Sequence, residues 1–84
     1  MEPIGRKLTM DEHVVFRICI QGVLDESWVD YLGLRAISTQ VNEAGIAATF
    51  LITEPVDQAA LVGLINRLNS LCLPLLAVEY ISAA

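Results

Sequence analysis

One segment limits the fold more than any other. Leu61, Leu64, Ile65, Leu68, Leu71 and Cys72 recur at offsets 0, 3, 4, 7, 10 and 11, while Asn66, Arg67 and Asn69 fall off that series. This spacing puts the apolar residues on one stripe of a 3.6-residue helix. Glu54-Pro55 ends whatever precedes it, Asp57 is suited to cap its first turn, and Pro74 punctuates its far end. A helix with one apolar stripe needs an apolar surface to lie on. The rest of the chain has to supply that surface, and the flanking patterns read as strands.

Val14 to Gln21 alternates, with Phe16, Ile18 and Ile20 on one face and Val15, Arg17, Cys19 and Gln21 on the other. After Gly22, a short helix is expected, with Asp25 or Ser27 as N-cap; Trp28, Tyr31 and Leu32 share one face of it and Gly33 stops it. Leu34 to Val41 alternates next. Asn42-Glu43-Ala44-Gly45 reads as a turn, and Ile46 to Thr53 as a strand with Ile46, Ala48, Phe50 and Ile52 on one side. Leu75 to Ile81 closes the series, with Leu76, Val78 and Tyr80 together.

The order β-α-β-β-α-β implies an α+β fold, the ferredoxin-like two-layer sandwich, with a mostly antiparallel four-stranded sheet and two helices on one face. The covered face is expected to hold Phe16, Ile18, Ile20, Ile37, Phe50, Ile52, Leu76 and Val78. The other face would carry Val15, Arg17, Cys19, Ala36, Ser38, Gln40, Ala47, Thr49, Leu51, Ala77, Glu79 and Ile81. Residues 1–12 read as a flexible tail and 13–84 as a single domain. The tail has charges at both ends and no hydrophobic run of the kind a secretory leader needs, so a reducing cytoplasm is the expected setting.

The chain of 84 residues is 55% hydrophobic and 18% charged, with ten acids against five bases and a net charge of −5. That excludes disorder, and five scattered cations cannot neutralise a run of phosphates, so no nucleic-acid partner is expected. The longest apolar run, Leu71 to Val78, has eight residues and a proline, where a membrane-spanning helix needs about twenty. A domain of this size buries only about 63% of its unfolded surface. So apolar a chain is therefore expected to cover its open sheet face with a second copy, making a homodimer, with edge-to-edge sheet extension the next possibility.

The chain carries few groups arranged for chemistry. His13 stands alone, and Cys19 and Cys72 lie among apolar residues in no metal or redox spacing, so both thiols are expected to be buried. The glycines match no phosphate loop. No catalytic, cofactor or metal site is expected. Arg17, Cys19, Ser38, Gln40, Thr49 and Glu79 on the open face, with Trp28 and Tyr31 on the short helix, are the candidate ligand or interface residues. Gly63 is unusual, lying within a strong helix but off its stripe. Close approach of another chain or a ligand accounts for it, as does simple tolerance.

Ile20-Gln21-Gly22-Val23-Leu24-Asp25 with Trp28, then Asp57-Gln58-Ala59-Ala60-Leu61 with Gly63-Leu64-Ile65, then Leu73-Pro74-Leu75-Leu76-Ala77-Val78 resemble a group of short bacterial proteins with no assigned function. Their pattern runs G-x-L-x-x-x-W, DQAALxGLL and LxLPLLxV. The resemblance implies a small intracellular bacterial domain without a stated activity. A weaker likeness is to the sulfate-transporter and anti-sigma-antagonist (STAS) domains, through Gly22-Val23-Leu24-Asp25, the Asp57-led helix and Leu75-Leu76-Ala77-Val78. It implies a parallel-rich sheet and a regulatory protein partner, although Gln58 stands where the phosphorylated serine of that motif belongs. Three readings follow: a non-enzymatic homodimeric binding module for a protein partner or small ligand, a STAS-like interaction module, and a small enzyme using Arg17, Cys19 and Glu79.

Overall fold

Residues 7–83 are described by a computed structural model. The β-branched run Val14–Gln21 forms β1, and Trp28–Leu32 forms the short helix α1. Leu34–Val41 and Ala47–Thr53 are β2 and β3, Gln58–Ser70 is α2, and Leu75–Ala83 is β4. The sheet order is β2-β3-β1-β4, and every neighbouring pair runs antiparallel. This is the expected α+β plan. The parallel-rich sheet that the STAS likeness implies is not what these strands form.

The core lies between the sheet and the helices. Leu61, Leu64 and Leu68 of α2 pack with Ile18, Ile20 and Leu51 of the central strands and with Leu24, Leu32 and Leu34. Asp57 caps α2 as its sequence suggests, accepting the Ala60 amide at 2.8 Å. The helix ends two residues sooner than its stripe. The Leu73 amide bonds back to the Leu68 carbonyl and the Cys72 amide to Asn69, with Cys72 at φ +60. Those are the bonds of a left-handed helix stop, and Pro74 directs the chain away immediately after it. Leu71 is therefore 38% exposed and Cys72 is exposed, not buried as expected.

Two further expectations need correction. In β3, Thr49, Leu51 and Thr53 face the helices, each fully buried, while Phe50 and Ile52 turn to the open side, half-buried. The cause is the hairpin. A turn of Asn42–Gly45 would set Val41 opposite Ile46, but Val41 pairs with Ala47. Ile46 belongs to the loop, where its amide donates to the Asn42 side chain and its carbonyl accepts the Asn42 amide, both at 3.0 Å. A one-residue slip in register turns every side chain of a strand over. The two threonines tolerate burial because each hydroxyl has a partner: Thr49 Oγ1 donates to the Gly22 carbonyl, and Thr53 Oγ1 accepts the Phe16 amide.

The second correction concerns β4, an edge strand whose side chains lie outside the core cluster. Leu76 is 54% exposed and Val78 39%. Register shifts against β1 fall between the pairs made by Cys19 and Ile20 and between those made by Val15 and Phe16. α1 starts where its sequence suggests: Ser27 holds the N-cap position, and Asp25 just upstream accepts from both the amide and the hydroxyl of Ser27. The Ser27 hydroxyl first, and its amide second, hold the Asp25 carboxyl below its ordinary value. Of the expected tail, residues 1–6 lie outside the described residues; at its other end the Met10 carbonyl accepts the Gln58 amide at 3.2 Å.

Candidate functional site

Among the described residues no helix lies over the second face of the sheet, and register decides which residues occupy it. Arg17 stands opposite Ile52 and Glu79, and Cys19 opposite Phe50 and Ala77. On β2, Ala36, Ser38 and Gln40 stand opposite Ile52, Phe50 and Ala48. Residues paired across a ladder point to the same side, so these make one continuous surface.

Its centre is a polar pair laid over an aromatic ring. Arg17 Nε and Nη2 donate to Glu79 Oε1 at 3.0 and 2.7 Å, and the Arg17 guanidinium carbon lies 5.1 Å from the centre of the Phe50 ring. The Arg17 side chain is 43% exposed and that of Glu79 30%. An ion pair this wet adds at most about 1 kcal/mol. Its larger effect is to neutralise the two charges among these paired residues and to fix the guanidinium over the ring. Beside it, Arg17, Ala36, Ser38, Gln40, Phe50 and Ile52 line a shallow depression of about 400 Å³.

Most of the expected residues assemble here. Arg17, Ser38, Gln40 and Glu79 share the surface as foreseen. Cys19 is on it too, but buried at 8% exposure between its neighbours. Thr49 is not: the slip in β3 carries it to the helix side, where it is fully buried and bonded to Gly22. Phe50 and Ile52, which make the face apolar, take its place. The residue that could have signalled this is Asn42, whose side chain can hold a fifth loop residue and so move the register by one.

Trp28 and Tyr31 sit elsewhere. Their rings meet edge to face at 5.4 Å and 81°, and the cleft beside them opens toward the end of α2 and not toward the sheet. His13 is exposed at the start of β1. Among the described residues no three His, Cys, Asp or Glu side chains gather as a metal site, and no helix is long and apolar enough to cross a membrane.

Residues 15–79 match the family described as Domain of unknown function (DUF8691). The chain belongs to that family. The matched span runs from Val15 on β1 to Glu79 on β4, so it includes the Arg17–Glu79 pair and everything beneath it. No curated protein and no solved structure matches the chain.

Proposed function

We propose that this DUF8691 chain is a non-enzymatic binding domain that works as a homodimer, two copies meeting through the open faces of their sheets. One observation carries the reading. Phe50 and Ile52 lie half-buried on a face whose named positions hold no net charge, because Arg17 and Glu79 neutralise each other there. A solvated face of an antiparallel sheet is ordinarily polar and charged along every other residue.

The area suits a weak association. Four strands about 4.8 Å apart and seven residues long at roughly 3.3 Å each give a flat footprint near 450 Å² per copy. Two copies cover about 900 Å² before side-chain relief is counted, below the roughly 1,200 Å² of stable assemblies and in the range of transient ones. Association therefore depends on concentration in the micromolar range. Closing one face on another also shuts the depression beside Arg17 into a chamber, where Ser38 and Gln40 supply hydrogen-bonding groups to a small ligand. The small-enzyme reading is the weaker one, since Arg17 is engaged by Glu79 and Cys19 is buried.

The test is solution mass by light scattering after size exclusion, from about 1 to about 200 µM. The reading expects a rise from 9.2 kDa toward twice that value, and Ile52→Glu holding the chain at the lower mass. A wild-type monomer throughout that range overturns it.

A further inference from the structure

On the helix side, the aromatic pair Trp28–Tyr31 forms one wall of a cleft of about 290 Å³, closed at its other end by Arg67, Ser70 and Leu71 of α2. Tyr31 is 71% exposed, an unusual position for one of the chain's few aromatic residues. Through Leu32 and Arg67 the cleft adjoins a second hollow of about 270 Å³, which has Ala60 and Gly63 along its α2 wall. A side chain at Gly63 would meet nothing within 4 Å. The glycine is therefore not required by packing inside the chain, and it leaves this side of α2 low. Together the two hollows are large enough for a small organic molecule.

Arg67 supplies the charge. Arg17 is paired with Glu79 and Arg35 with Glu54, but among the described residues the Arg67 side chain makes neither an ion pair nor a hydrogen bond. Its position in the last turn of α2 favours the helix dipole, and Trp28 packs against the core. Neither role calls for an exposed tyrosine or for the open space above Gly63. An aromatic wall of two rings set edge to face, with a free guanidinium at its rim, suits a planar aromatic body bearing an anionic group, packed against those rings and held by charge-assisted hydrogen bonds.

We propose that the cleft between α1 and α2 binds a small planar aromatic acid, with Trp28 and Tyr31 receiving the rings and Arg67 the acid group. The site lies across the sheet from the proposed dimer face and stands or falls independently of it.

The probe is 8-anilinonaphthalene-1-sulfonate, with uncharged N-phenyl-1-naphthylamine as its partner. Trp28 is the only tryptophan in the chain, so quenching of its emission locates the bound probe. The proposal expects saturable binding of one sulfonate probe per chain with Trp28 quenched. Arg67→Gln weakens the sulfonate about tenfold, the usual scale for a lost charge-assisted bond, and leaves the uncharged probe within twofold. Gly63→Leu, a change the helix itself favours, blocks both probes. Equal sulfonate affinity in wild type and Arg67→Gln overturns the proposal. So does loss of binding in Ile52→Glu with Gly63→Leu unaffected, which would move the probe to the sheet face.

Discussion

Replacing Thr49 by valine asks directly which way β3 faces. The hydroxyl donates to the Gly22 carbonyl at 2.7 Å and lies 3.0 Å from Thr39 Oγ1, which leaves Thr39 as the donor in that second contact. Valine keeps the shape and removes the hydroxyl. The Gly22 carbonyl loses a bond worth about 1–1.5 kcal/mol, while the half-exposed Thr39 side regains water and the new methyl recovers a few tenths. The net expectation is a destabilisation of about 1 kcal/mol, or a fall of roughly 4–8 °C in Tm for a chain this size. Urea unfolding followed by circular dichroism, with the slope unchanged, measures it. Had Thr49 faced solvent, valine on an exposed strand position would be neutral or slightly stabilising. An unchanged or raised midpoint therefore refutes the register on which the whole open face depends.

Other substitutions probe the joints of the fold. Cys72→Gly relieves a left-handed backbone at φ +60 worth about 1–2 kcal/mol and gives back part of that in unfolded-chain entropy, so a net gain of roughly 0.5–1 kcal/mol is expected in the same assay; a loss would contradict the helix stop. Gly22→Ala places a side chain at φ +115, with its Cβ 3.3 Å from Leu73, and should cost about 1–3 kcal/mol, read as an earlier thermal midpoint. The Asp25 carboxyl, held low by Ser27, and the Asp11 carboxyl, held low chiefly by the Thr9 hydroxyl, both stabilise the fold when ionised. That contribution is complete above their ordinary value of 3.8 and is lost as pH falls through the depressed ones. Trp28 emission should therefore shift toward that of an exposed indole only below about pH 4, and Asp25→Asn should flatten the shift. A Trp28 signal that moves between pH 7 and 5 instead would point to another group.

The element order was legible because each element carries its own period. Phe16, Ile18 and Ile20 repeat by two, and Leu61, Leu64 and Leu68 by three and four, whatever their surroundings. The face of β3 was not legible from its own residues. Thr49-Phe50-Leu51-Ile52-Thr53 is apolar on both alternations, and the side with Phe50 and Ile52 has the greater hydrophobicity. What decides is a partner for each threonine hydroxyl and a fifth loop residue at Ile46, both of which depend on residues far from β3 or on loop geometry. The exposure of Leu76 and Val78 was hidden for a similar reason: strand order makes β4 an edge, and none of its side chains enters the core cluster. The Arg17–Glu79 contact was legible, since it needs only that β1 and β4 be neighbours with both residues on the same alternation.

The claim that two copies meet through this face is tested most directly by isotope-filtered NMR on an equal mixture of labelled and unlabelled chains. The account expects nuclear Overhauser contacts between subunits at the Ala36 and Ile52 methyls and the Phe50 ring, with the exposed Leu76 and Val41 side chains silent. Contacts between subunits confined to Leu76 and its β4 neighbours, with Ile52 silent, would contradict it and place the dimer at the sheet edge.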